Sequence, residues 1–589
     1  MGAGVETSTW TSSTVSHRYV SLTNSSTSTI ISVEPRRSLS DILGPHVVFS
    51  ALYNSAARDG EHAVTCQPET QTKVLEDIRS WAADSATATP MCWLSGPAGT
   101  GKTTVAHTIA EEYDECGQLA ASFFFWRKTG DRDDINKLVP TLAWQIAHKV
   151  PPTKEQMEEV LKKSWVPLPE LSLETQLSTL LFRRPIADVS PAGPNLIVID
   201  GLDECASQDG IIRLIKWLRK NRLPFRFLLS SRPEPDIKAR FADCPGGGFI
   251  EVLSLSLTES KNDIRKYFVE ELEKIRQDRL PSCSPSDWPP KQYIGELVNR
   301  SEGLFVYAAT AVRYIGGKGY PQTLLEDVLT VHDGLDPLYS QVIKEAKGWK
   351  YFDIVMGALM HLQYSLPISK LSQVLFDVNK PLKAHDIFFA LGGCHSILAI
   401  PEDNTKAIEP YHASLRDFFA DQSRSKGLFY TPAMSHAQLM LGCLQAITTA
   451  FNEGSHAPEY ALISWHHHAC LFLSAPETSE GLRGLTDEEM DLIQNINLKW
   501  IKSWMTEALC WVGVPYLTMK LPLQKVRERE GHINIETHHW WQGHKDLASA
   551  DWTGCLQQIL RNISMILEVG PLCIKGHLLN LNGMELPRL

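Results

Sequence analysis

Gly96-Pro97-Ala98-Gly99-Thr100-Gly101-Lys102-Thr103 decides how this chain is read. It fits a pattern of glycine, four residues, then Gly-Lys-Ser/Thr. The run before it, Met91-Cys92-Trp93-Leu94, is apolar and strand-like, and Thr104 to Ala110 reads as a helix. A strand, a glycine-rich loop and a helix start, in that order, make a cradle for phosphate. Gly99 and Gly101 let the backbone turn tightly and aim N–H groups at phosphate oxygens. The pattern gives Gly96, Pro97, Ala98, Gly99, Thr100, Gly101, Lys102, Thr103 and Thr104 to nucleotide binding. Lys102 would bridge the β- and γ-phosphates, and the Thr103 hydroxyl would hold Mg²⁺.

A second motif follows. Asn195-Leu196-Ile197-Val198-Ile199 is a fully apolar strand of the kind buried in a parallel sheet. It ends in Asp200-Gly201-Leu202-Asp203-Glu204, at the sheet edge where ligands bind in open α/β folds. Asp200 is expected to hold Mg²⁺, directly or through water, and Asp203 or Glu204 to orient or deprotonate an attacking water. A third strand, Arg226-Phe227-Leu228-Leu229, runs into Ser230-Ser231-Arg232. Arg232 is then placed at the same edge, where it would sense a γ-phosphate.

These residues resemble the NACHT branch of the signal-transducing (STAND-class) P-loop NTPases, and in detail the large fungal group of NLR-like proteins. Ala120 to Phe125 is similar to that family's second strand and Pro140 to Ile146 to the helix after it. Gly303 to Ala309 is similar to its lid helix, and His412-Ala413-Ser414-Leu415-Arg416-Asp417-Phe418-Phe419 to its winged-helix signature. The resemblance spans about residues 46 to 425. It implies an ATP/ADP and Mg²⁺ switch with slow hydrolysis that controls self-assembly. It also implies a histidine that touches the β-phosphate of ADP and holds a closed state. His412 is either that residue or a structural histidine bonded to Asp417 or to backbone.

The expected fold is α/β: a doubly wound parallel-sheet core, then a helical lid, a winged helix and an all-α C-terminal region. Strands are expected near 91–95, 121–126, 195–200, 225–230 and 249–253. The division is a Ser/Thr-rich tail (1–45), a helical lead-in (46–90), the NTPase core (91–255), the lid (256–345), the winged helix (346–425) and a helical C-terminal region (426–589). The tail is read as disordered, with a transit peptide or stacked strands as alternatives.

At 589 residues, 43% hydrophobic and 21% charged, the chain has the composition of a globular protein of several domains. The net charge of −11 gives no general pull toward nucleic acid, which is not expected as a partner. The segment 383–389, where a winged helix would read DNA, is hardly basic. Twelve scattered cysteines without a Cys-x-x-Cys pair suit reduced thiols in a cytoplasmic protein. No run reaches transmembrane length. His466-His467-His468 and the stretch His538 to His544 could suggest metal, but adjacent histidines point different ways on a helix, and no metal site is expected there. An unidentified protein partner is expected through the C-terminal helices. Two other functions fit the motifs: a turnover ATPase or kinase, and a scaffold with structural nucleotide.

Overall fold

Met91-Cys92-Trp93-Leu94-Ser95 carries no charge and is buried along its whole length, as a strand covered on both faces must be. Alternate side chains go to opposite faces. Met91 and Trp93 join one apolar cluster, Cys92 and Leu94 another. Ile197 and Ile199 divide from Leu196 and Val198 in the same way.

The computed structural model describes residues 38–474, apart from 56–64, 85–89, 151–152, 164–165, 167, 169–170, 183–194, 222, 243–249, 258–259, 281–287, 378–379, 429–431 and 454. Two helices precede the sheet, α1 (Leu39–Leu43) and α2 (Thr72–Ala83). The alternating core follows: β1 (Met91–Ser95), α3 (Lys102–Glu115), β2 (Leu119–Phe124), α4 (Ile135–Lys149), α5 (Thr153–Lys163), α6 (Leu173–Leu177), β3 (Leu196–Asp200), α7 (Gln208–Lys220), β4 (Arg226–Ser231), α8 (Pro235–Ala242) and β5 (Ile250–Ser254). All five strands are parallel, in the order β2-β3-β4-β1-β5.

The register lines up the functional ends. Ser95 pairs with Ser231, and Ile199 with Leu229, so Asp200 comes level with Ser230. Because β4 separates β1 from β3, Arg232 emerges between the phosphate-loop strand and the acidic strand.

Five helices come next: α9 (Ser260–Arg279), α10 (Lys291–Arg300), α11 (Phe305–Ile315), α12 (Pro321–Thr330) and α13 (Leu335–Ala346). They lead into α14 (Phe352–His361), α15 (Ile368–Leu371), the β6 (Phe376–Asp377) and β7 (Lys380–Pro381) pair, α16 (Ala384–Ala390), the antiparallel ribbon β8 (Leu398–Ala399) with β9 (Glu409–Pro410), and α17 (Ser414–Ala420). The described chain ends with α18 (Gln422–Ser425), α19 (Pro432–Glu453) and α20 (Glu459–Ser474). Residues from α9 through α20 share one continuous apolar cluster.

The fold class agrees with the sequence reading, and every expected strand is present within two residues. One local difference stands out. Leu39–Leu43, read as part of the tail, is a helix capped by Ser38, with Leu39 and Leu43 fully buried beside α4 and α5. Residues 1–37 of the tail, 281–287 and everything from 475 on, including His538 to His544, lie outside the described residues. Among the described residues no helix is long and apolar enough to cross a membrane.

Candidate functional site

The loop after β1 turns on two residues with positive φ, Gly99 (+80°) and Gly101 (+94°). Gly101 is the N-cap of α3 and no side chain caps that end. The first amides of α3, from Lys102 to Thr104, therefore keep their donors for whatever enters the cleft. Gly99 has a second constraint. Its carbonyl accepts the Val306 N–H at 3.2 Å, and an added Cβ would lie 2.2 Å from Val306 Cγ1. The phosphate loop and α11 thus touch backbone to backbone.

A single cleft collects residues from five parts of the chain. The loop supplies Ala98, Gly99 and Gly101 to Thr104. The strand ends supply Asp200, Asp203, Glu204 and Arg232. Phe305 and Arg313 come from α11, Tyr411 to Ala413 from the turn before α17, and Thr65 to Gln67 with Thr70 and Gln71 from the lead-in. Gly96, Pro97 and Thr100 stand behind this lining. Lys102 Nζ donates to the Gly96 and Pro97 carbonyls, each at 2.8 Å, and the buried Thr100 hydroxyl donates to Pro97 at 3.0 Å.

The acids differ in what holds them. Asp200 is buried, and the Ser230 hydroxyl donates to it. Asp203 is clamped by Arg232, whose N–H reaches Oδ1 at 2.9 Å and whose Nε lies 3.1 Å from Oδ2. Glu204 accepts one long bond from the Arg127 N–H, at 3.2 Å. Burial, with Asp203 beside it, pushes the Glu204 carboxyl up to about 7. Of the two water-activating candidates, Glu204 is the less tightly held, and its carboxyl exchanges its proton near neutral pH. Burial also pushes the Lys102 ammonium below its ordinary value, while Asp203 and Asp200 oppose the shift.

His412 reaches the cleft with a defined tautomer. The Ser414 N–H lies 3.1 Å from its Nδ1 and can only donate, so Nδ1 is the acceptor and Nε2 carries the proton. The Ser414 hydroxyl, 2.7 Å away, then donates to Nδ1 too, and in turn accepts from buried Tyr339 at 2.9 Å. Burial, then the charges of Arg232 and Lys102, push His412 down to about 3, so it is a neutral donor at physiological pH. It does not bond to Asp417, one of the alternatives left open above.

Four contributors escape a motif reading: Arg127, Asp417, Arg313 and the lead-in. Arg127 follows β2 onto the same sheet edge, which is the signal that would have found it. Asp417 sits inside the quoted signature but was considered only as a partner for His412. Arg313 stacks 3.8 Å over the Tyr411 ring. In α20, His466 and His468 are buried; His468 Nδ1 lies 2.9 Å from His436 Nδ1, and its Nε2 lies 2.8 Å from the Tyr460 hydroxyl. Among the described residues no group of three or more His, Cys, Asp or Glu is set to hold a metal by itself. A Mg²⁺ held by Thr103 and Asp200 together with phosphate oxygens and waters needs no such group.

A model of the nephrocystin 3 N-terminal domain matches residues 67–232, which begin in the lead-in and end at Arg232. No curated protein matches the chain. Solved structures similar to it include PCH-2 of C. elegans, at 11% identity over 49% of this chain and 73% of that one, with a TM-score of 0.26. Others are Drosophila ORC bound to DNA (13%, 58% and 91%, 0.29) and Aeropyrum pernix ORC1 in complex with DNA (14%, 60% and 92%, 0.28). The last two correct one expectation. Nucleic acid was set aside on a net charge of −11, but similar chains are seen bound to DNA. Net charge is a whole-chain sum, whereas such contact is decided by local surfaces. Loop, strand order and family match agree on the fold: this chain is built on a P-loop NTPase core.

Proposed function

We propose that the chain is a nucleotide-operated signalling switch of the fungal NACHT, NLR-like type. It binds Mg²⁺ with ATP or ADP, hydrolyses ATP slowly, and lets the bound nucleotide control self-assembly. The observation that carries this reading is that Tyr411, His412 and Ala413 line the same cleft as Lys102, Asp200 and Arg232. A ligand there touches the core and the segment before α17 at once, so it biases how they sit together. The domain division expected from the sequence is retained here, with the lead-in added to the nucleotide site.

Lys102 and the amides of Gly101 to Thr104 would hold the phosphates. Thr103 and Asp200 would hold Mg²⁺, which would supply charge neutralisation of the phosphate oxygens. Glu204 would take the proton of the attacking water. His412 would donate from Nε2 to the β-phosphate and so favour the closed arrangement.

The test is calorimetric titration of the full chain with Mg²⁺–ADP and Mg²⁺–ATP, with light scattering on the same samples. Lys102→Ala should abolish binding, because no uncharged side chain replaces the ammonium. The native chain should assemble more with ATP than with ADP. Unchanged affinity in Lys102→Ala, or equal scattering with both nucleotides, would overturn the reading.

A further inference from the structure

Asp417 lies on α17, outside the phosphate loop and the acidic motif, yet two arginines from the sheet edge grip it. Arg232 Nη1 donates to Oδ2 at 2.6 Å and Arg127 Nη1 to Oδ1 at 3.2 Å. Each carboxylate oxygen thus has its own guanidinium, a geometry that equally suits a phosphoryl group. The arginines are themselves anchored. Arg232 Nε faces Asp203 at 3.1 Å, and Arg127 Nη2 donates to the Asp203 carbonyl at 3.0 Å. The neighbouring Arg416 is buried and donates to the Arg127 carbonyl at 2.8 Å. With Asp417 about four-fifths buried and Arg232 a little more so, solvent screens the pair only in part.

Arg232 stands in the cleft wall beside Lys102, whereas Asp417 approaches it from behind, on α17. Lys102 and Arg232 line the same cleft, so a third phosphate held by Lys102 would come to this end of it. It would bring a third anion to a guanidinium that Asp203 and Asp417 already hold, and the phosphoryl group and the Asp417 carboxylate would repel each other.

We propose that Asp417 sets the site's preference for a diphosphate: it occupies the arginine that a γ-phosphoryl group needs, so triphosphate binding and the docking of α17 compete for Arg232. The proposal rests on the reading of the cleft as a nucleotide switch. It adds the residue that discriminates between the two nucleotides. Asp417 acts through Arg232 and is a positioning residue.

The test is the ratio of dissociation constants for ATPγS and ADP, both with Mg²⁺, on the full chain. Asp417→Asn keeps the shape and removes the charge. It should lower the ratio on the order of tenfold, chiefly through tighter triphosphate binding. Asp417→Glu should restore most of the native ratio. A side chain that merely staples α17 would instead weaken both nucleotides together and leave the ratio alone; that result overturns the proposal. Should Asp417→Asn fail to fold, Arg127→Gln removes one of the two grips on Asp417, and the ratio should fall in the same direction. An unmoved ratio in Arg127→Gln counts against the proposal equally. A native chain that binds neither nucleotide sinks the switch reading, and this proposal with it. A native chain that binds both, with unmoved ratios in the variants, sinks the role of Asp417 alone.

Discussion

Two glycines of the phosphate loop allow backbone strain and packing to be separated. Both Gly99 and Gly101 have positive φ, so alanine at either costs about 1–2 kcal/mol in the left-handed region. Their surroundings differ. A Cβ on Gly101 meets nothing nearer than 3.8 Å. A Cβ on Gly99 would sit 2.2 Å from Val306 Cγ1 and 3.0 Å from Val306 Cβ, so the loop and α11 must part. Overpacking of this kind adds about 1–3 kcal/mol. At about 2–4 °C per kcal/mol for a domain of this size, Gly101→Ala should lower the melting midpoint by about 2–8 °C, and Gly99→Ala by a further 2–12 °C. Differential scanning of the full chain measures both. Adding Val306→Ala to Gly99→Ala should return part of the difference but not all of it, because the Val306 Cβ remains close. The reasoning fails if Gly101→Ala melts as low as Gly99→Ala, or if Val306→Ala returns nothing.

Glu204→Gln should keep ATP bound and slow single-turnover hydrolysis by about a hundredfold or more. In the native chain the rate should rise with pH through about 7, where Glu204 loses its proton, and the Gln variant should lack that step; a native-like rate or an unchanged profile would remove Glu204 as the base. Acid should destabilise the chain through the histidines of α19 and α20. Burial pushes His436 down to about 2 and His466 to about 3, and His468 well below its ordinary value, so the unfolded chain binds protons from about pH 6.5 downward that the native one refuses. Stability should therefore fall as pH drops below about 6.5, by up to about 1.4 kcal/mol per pH unit for each histidine, and urea midpoints that stay flat from pH 7 to 5 would contradict this.

The core was legible because its strands are short apolar runs ending in chemistry. Leu196-Ile197-Val198-Ile199, rich in β-branched residues, reads as a strand covered on both faces, and Asp200 then falls at a sheet edge. The glycine pattern announces itself through spacing alone. What the sequence hid is contact between distant segments. Nothing local in Thr65 to Gln71 marks it as a wall of the cleft. Nothing local in Asp417 marks it as the partner of Arg127, 290 residues away. The helix at Leu39–Leu43 was missed for a related reason. A Ser/Thr-rich flank lowers the mean hydropathy around two leucines whose burial depends on α4 and α5. A summed net charge does not describe a surface, so it could not by itself set nucleic acid aside.

The separation between Arg232 and Asp417, 185 residues, also has a meaning in time. Chains grow at roughly 5–20 residues per second, and N-terminal units fold first. Arg232 therefore leaves the ribosome about 10–40 s before its partner is made. Through that interval the loop, the acidic strand and the arginines stand together with no α17 to cover them. On the switch reading proposed above, a nucleotide arriving then would meet a site that still lacks the wall Tyr411 to Ala413 add later. In the finished chain that wall is already in place, so the first binding event and every later one would face different sites.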